Sequence, residues 1–317
     1  MTYERKRRGL GSVLLILSLS LVTPSEAAPA EDARIWVRTR PGQRTEMALR
    51  GALNRTLQGY GDDRDLARIR TALVGLGRKE GPRDPGNVVL LVRFRLELGL
   101  PQTTPATAAS WIPALAAALA QPSALGIQAI GWFDLARLQR VAGQKATDVA
   151  IEEALRVALD PEQRAQALFL RGLMNLERHE LEEAGQDFSA AGGLTTRSSS
   201  GALALTGLAL SQAMRGSVPQ AELSSTAAAR MLSEAARASG LALTHGWTLD
   251  ATEEAYFQAI LAHGEWVASR SSASSSERAC HAAQIAAASP VSALSSANAW
   301  LDQACASPDA SSLKALE

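Results

Sequence analysis

Apolar residues recur at intervals of three and four along most of the chain, as in Leu135, Leu138 and Val141, or Leu168, Gly172 and Leu176. That period places them on one face of a helix. The punctuation agrees. Asp62-Asp63-Arg64-Asp65-Leu66 sets acids where a helix begins, and Asp84-Pro85 opens a stretch over Val88–Leu98 that Gly99 and Pro101 close. Asp160-Pro161-Glu162-Gln163 pairs an N-cap acid with proline in the first turn, Asp250-Ala251-Thr252-Glu253 forms a capping box, and Ser289-Pro290 reads as another cap-then-proline start. Gly192-Gly193 and Gly216-Ser217 are the expected stops, and the Ser271–Ser276 run is expected to be a loop. Arg34–Thr39 is the sole β-prone stretch, a short strand or an extended lead-in. The pattern predicts an all-α chain of ordinary helices joined by short turns.

Residues 1–30 stand apart. Glu4-Arg5-Lys6-Arg7-Arg8 is a basic start, Leu10–Val22 is apolar, and Ser25-Glu26-Ala27 or Ala28-Pro29-Ala30 offers small residues for cleavage. This is the three-part layout of a secretory signal peptide, and its apolar core of about 13 residues falls short of the roughly 20 that span a bilayer. No integral membrane span is expected once it is removed, and the address is periplasmic or secreted. The organisation expected downstream is an N-terminal helical segment over 31–110, helical repeats over 111–240 and C-terminal helical hairpins over 241–317. Removing residues 1–30 leaves 28 basic against 30 acidic residues, a net charge of −2. That balance gives no electrostatic case for nucleic acid. After the signal, lysine remains only at Lys79, Lys145 and Lys314; this arginine bias, with abundant alanine, points to a GC-rich bacterial source. Aromatics make up 4% of the chain, so an alanine-rich core has to gain by close helix approach what it lacks in side-chain area.

Candidate chemistry is thin. His179, His245, His263 and His281 share no ligand spacing, and surface or turn positions are expected for them. His179-Glu180 lacks the second histidine of a zinc-protease helix, because Glu183 takes that place. Gly75, Gly77 and Gly81 lack a phosphate loop's ending, and Ser311-Ser312-Leu313-Lys314 has no supporting second motif. Glu152-Glu153 and Glu253-Glu254 read as solvated helix starts. No catalytic residue, metal site or cofactor is expected. Cys280 and Cys305 are the only cysteines, and an oxidising compartment would pair them. If Ser289-Pro290 joined two straight antiparallel helices, however, the two would be offset by on the order of 10 Å along the axis. The sequence leaves the bridge open.

Counted from Ala165, Gly172, Ala184, Phe188 and Ala191 fall at positions 8, 20, 24 and 27, a spacing that resembles the tetratricopeptide repeat. A frame from Gly131 holds Ala150, Ala154 and Val157 but has Leu138 at position 8; one from Ala202 holds Ala209, Ala221 and Ala228 but has Ser225 where the aromatic belongs. The resemblance covers about 131–235, a third of the chain. It implies an α-solenoid of antiparallel helical hairpins whose first helices line a concave groove. Carried onto this chain, the groove residues are Gln166, Phe169, Leu173, Leu176 and Glu177, with Trp132 and Leu135 from the preceding frame and Leu210 from the following one. This lining lacks the Lys/Asn/Arg set that some members use to clamp a carboxylate. It would suit an apolar protein or peptide partner. The alternative is that the chain's own C-terminal helices, including Trp300 and Leu301, fill it. The function expected is an exported, non-enzymatic scaffold for a protein partner. A rival is the helical superstructure of a peptidoglycan enzyme or an envelope assembly.

Overall fold

The computed structural model describes residues 41–57, 60–76, 82–99, 104–123, 125–144, 147–195, 199–239, 251–269, 273–288 and 292–306. The signal-like segment and Arg34–Thr39 lie outside them. Among the described residues there are thirteen α-helices, two short 3-10 helices and no strand. No described helix is long and apolar enough to cross a membrane. Neighbouring helices pack against each other within two compact units, residues 1–144 and 145–317. This division falls inside the 111–240 segment of the sequence organisation and separates the two helices of the Gly131 frame.

The first unit holds α1 (Pro41–Leu57), α2 (Asp63–Gly75), α3 (Pro85–Gly99), α4 (Pro105–Leu119) and α5 (Leu125–Val141). α2 begins at the predicted acidic start, and Asp62 caps it: the Asp65 amide donates to Asp62 at 2.8 Å. Asp65 then receives Arg55 from α1 through two bonds, at 2.8 and 2.6 Å, which pins the α1–α2 turn. α3 starts at the expected proline with its Asn87 amide donating to Asp84. Asn87 is buried and donates back to Glu46 on α1 at 2.7 Å. The apolar run Val88–Val92 supplies the centre of this unit.

The second unit holds α6 (Thr147–Val157), α7 (Pro161–Glu177), α8 (Leu181–Leu194), α9 (Ser199–Met214), α10 (Val218–Ser239), α11 (Ala251–Ala268) and α12 (Ala273–Ala287). A 3-10 helix over Ser292–Ala297, the single turn α13 (Asn298–Leu301) and a second 3-10 helix over Asp302–Ala304 complete it. From α6 to α12 each helix packs on the next in sequence, and α9 also touches both α7 and α11. Asp160 caps α7, accepting from the Glu162 amide at 3.0 Å, and Pro161 is the first helical residue. His179 takes the left-handed conformation (φ 60°) in the turn to α8, and Gly216 does so (φ 76°) in the turn to α10.

Three local expectations are corrected. Gly192 and Gly193 do not stop α8, which runs to Leu194, because packing of its neighbours outweighs a helix-propensity cost of about 1 kcal/mol per glycine. The Ser271–Ser276 run is not all loop: α12 begins at Ala273. Ser275 meets the Ser269 hydroxyl at 2.7 Å and Ser276 donates to the Ala304 carbonyl at 2.8 Å. That early start leaves only a short connection between α11 and α12. The segment after Ser289-Pro290, itself outside the described residues, runs as 3-10 and single-turn pieces from Ser292 instead of one α-helix.

Phe188 lies at the centre of the second unit and is fully buried. A methyl group on Gly172 of α7 would come within 2.8 Å of its ring, and one on Gly207 of α9 within 2.6 Å. The ring therefore rests on bare backbone on both sides. Gly172 makes room for this ring, four residues beyond the small Ala184. Gly264 of α11 is tighter still: a Cβ there would stand 2.2 Å from the Ser225 carbonyl oxygen of α10.

Gly207→Ala forces the trapped ring to move, an overpacking cost of about 1–3 kcal/mol that outweighs the about 1 kcal/mol gained in helix propensity. Gly193→Ala meets nothing within 4 Å and should stabilise by about 0.5–1 kcal/mol. Urea denaturation should therefore lower the midpoint for the first and raise it for the second, and Phe188→Leu should recover part of the loss in the Gly207→Ala background. Equal shifts for the two alanines would contradict the packing described.

Candidate interaction surface

The residues expected to line an open groove do not form one. Phe169, Leu173 and Leu176 on α7 and Leu210 on α9 are each at most 2% exposed, and Leu135 in the first unit is 4% exposed. They are corrected from groove lining to core. Trp132 and Gln166 are half-buried, and Glu177 alone of the set is exposed. The physical cause is visible at Phe169. Its ring meets Phe188 edge-on at 5.5 Å on one side and Phe257 of α11 at 5.8 Å on the other. A third hairpin, α11–α12, thus closes over the face that the repeat pattern leaves apolar.

The C-terminal residues 292–306 complete the cover. Their first 3-10 helix touches α7 and α9. Leu294, Ala297, Trp300, Leu301 and Ala304 are buried, while Ser295, Ser296, Ala299, Asp302 and Gln303 face solvent. This strap is anchored at three points. Tyr256 Oη donates to Asn298 at 2.8 Å, Ser276 Oγ donates to the Ala304 carbonyl, and Cys280 is bridged to Cys305 with Cα atoms 4.7 Å apart. The offset expected between the cysteines vanishes because the returning chain is broken into short turns, so it is not tied to the rise of one straight helix.

His263 of α11 sits where the strap crosses. It is 1% exposed, its ring 4.4 Å from Trp300 and 5.1 Å from Trp266. Neither of its ring nitrogens, nor the indole nitrogen of either tryptophan, has a hydrogen-bond partner among the described residues. Burial in this aromatic setting holds the imidazole down to about 4 and so neutral at pH 7. This corrects the expectation of surface or turn histidines for one residue of the four: His179 and His281 are exposed, and His245 lies outside the described residues. The only sequence signal for the burial of His263 was its place between Ile260 and Val267 on an apolar helix.

Ionic side chains do structural work. Arg171 grips Asp187 through two bonds, at 2.9 and 2.6 Å, and reaches Glu152 at 2.7 Å, so its guanidinium is held charged chiefly by Asp187. Asn175 donates to the same carboxylate. In the first unit Arg93 and Arg137 both donate to the buried Asp134, at 2.9 and 3.2 Å, and both stand 5.6 Å from the Phe133 ring. Of the acid pairs read as solvated, Glu152 is exposed, but Glu253 is buried. Glu253 occupies the first turn of α11, where unpaired amides favour an acid away from water. The described residues hold no group of three or more His, Cys, Asp or Glu side chains placed to bind a metal ion. The Ser311–Lys314 match lies outside them.

Compared with known proteins, the chain matches no family model, no curated protein and no solved structure.

An unfolded chain exposes His263 to water, where it binds a proton below about pH 6.5, whereas the folded chain resists doing so until about pH 4. The stability this provides is full above about pH 6.5 and drains away as pH falls toward 4, by up to about 3 kcal/mol at 1.36 kcal/mol per tenfold change. His263→Phe should flatten that part of the acid limb of the unfolding free energy measured in urea. Parallel profiles for the two chains between pH 7.5 and 4.5 would refute the assignment.

Proposed function

We propose that this chain is an exported, non-enzymatic helical-repeat protein of the tetratricopeptide type, an α-solenoid of hairpins that acts by holding a protein or peptide partner. The observation that carries the reading is the order of packing in the second unit. Each helix rests on the next, and α7, α9 and α11 also touch as a row, as the first helices of stacked hairpins would. Phe188, Gly172 and Ala184 occupy the places at which the repeat requires an aromatic and small residues.

The Cys280–Cys305 bridge supports an address outside the reducing cytosol, in keeping with the signal-like N-terminus. Arg171, Asp187 and Glu152 are engaged with one another across helices, which suits a structural role better than a catalytic one. The partner surface then belongs to the ends and edges of the α7–α9–α11 row, where Glu177 reaches solvent.

A photo-crosslinking amino acid placed at Glu177 in the producing cell should give a discrete protein adduct, while one at Gln186 on the exposed side of α8 should not. Absence of any adduct from both sites, together with turnover of purified peptidoglycan by the isolated chain, would replace the scaffold with the enzyme reading.

A further inference from the structure

Facing side chains of α6 and α7 form a ladder of charged rungs. At one end Asp148 of α6 accepts from Arg178, at the end of α7, at 2.6 Å. At the next rung Glu152 accepts from Arg171 at 2.7 Å. One turn further along α6, and seven residues back along α7, the third rung brings Arg156 and Arg164 to the walls of one cavity. Acid against arginine here gives way to arginine against arginine. Like charges placed together repel. Arg164 also stands in the first turn of α7, where the helix dipole disfavours a cation.

The cavity is open and holds about 340 Å³, lined by Glu152, Leu155 and Arg156 of α6 and by Arg164, Leu168 and Arg171 of α7. That volume lies at the small end of the range of about 300–1,000 Å³ typical of ligand pockets. Its arginines are unequally engaged. Arg171 is held by Asp187 and Glu152, and Arg156 turns back to Glu153 on its own helix at 2.9 and 2.6 Å. Arg164 is exposed and joins no ion pair among the described residues. Asp160, four residues before it, is turned to the Glu162 amide. Leu155 and Leu168, otherwise buried, give the cavity an apolar floor.

We propose that this cavity is a binding site for a small aliphatic carboxylate, whose head bridges Arg164 and Arg156 while its hydrocarbon tail lies on Leu155 and Leu168. A guanidinium fork matches the two oxygens of a carboxylate, as Arg171 does on Asp187. The bound head supplies the acid that the third rung lacks. Glu152 on the rim, already engaged by Arg171, repels a second negative charge and so selects a monoanion over a dianion. The leucines select a branched or straight alkyl chain over a polar one. The site needs only α6 and α7, so it stands or falls apart from the partner surface at Glu177.

The probe is isocaproate, titrated against the full-length chain at low ionic strength and followed by saturation-transfer NMR. Binding should saturate with a Kd of about 1 mM or tighter, and the methyl protons should receive more saturation than those beside the carboxylate. Arg164→Gln should weaken binding about ten-fold or more, the loss of one charge-assisted contact. Arg164→Lys, which keeps the charge but not the fork, should fall between that variant and the wild type. Arg178→Gln removes the same charge from the first rung and should change the Kd by less than about two-fold. Arg156→Glu supplies the missing acid and should abolish binding. Isocaproamide, which is uncharged, and inorganic phosphate, which has no tail, should each bind about ten-fold more weakly or worse. Absence of saturation in the wild type overturns the proposal. So do equal losses in Arg164→Gln and Arg178→Gln, binding retained by Arg156→Glu, or either comparison ligand binding as tightly as isocaproate.

Discussion

The second unit is organised around one ring between two absent side chains. Phe188 reaches from α8 onto the bare backbone of Gly172 on α7 and of Gly207 on α9, so a single aromatic sets the separation of three helices. A ring offers rigid area at little entropic cost, and glycine lets it lie directly on a neighbouring backbone. Because the ring is trapped from both sides, the two glycines are not independent: filling either space pushes the ring toward the other. The Phe188–Phe169–Phe257 succession then carries the same spacing from the first hairpin to α11.

Much of this local architecture was legible in the sequence because it depends on one or two residues acting at short range. Asp62, Asp84 and Asp160 sit at helix starts, Gly216 makes its turn, and the spacing of Gly172, Ala184 and Phe188 marks a close hairpin. Gly207 was missed, although it serves Phe188 as directly as Gly172 does. Its role depends on which residue faces it across a helix pair, and helical periodicity does not report that. Gly193 was misread for the complementary reason: a glycine that looks like a stop is carried along when its neighbours Ala191 and Gly192 are held in packed surroundings.

The interaction surface was less legible. Carrying the repeat's groove positions onto α7 identified residues that lie on one face, but it could not say what covers that face. Phe169 and Leu173 look alike in sequence whether they await a partner or meet Phe257. The strap itself carried a signal in the three-residue spacing of Leu294, Ala297, Trp300 and, beyond it, Ala304. Treating the chain after Ser289-Pro290 as one straight helix is what set the two cysteines apart. A 3-10 path keeps residues three apart on one side and allows the bends that bring Cys305 to Cys280.

The two units answer the shortage of aromatics differently. The first buries charge: Asp134 neutralises part of the field of Arg93 and Arg137, and the Phe133 ring lies near both guanidiniums. Such an arrangement holds geometry more than it adds stability, since the desolvation it requires consumes most of the attraction. The second relies on bare backbone contacts and a covalent closure. Closing a loop of about 25 residues is worth roughly 3–4 kcal/mol in the chain-entropy account, a constraint on the unfolded chain that needs no aromatic area. The disulfide and the packing of Trp300 against His263 therefore act together on one short segment, residues 292–304.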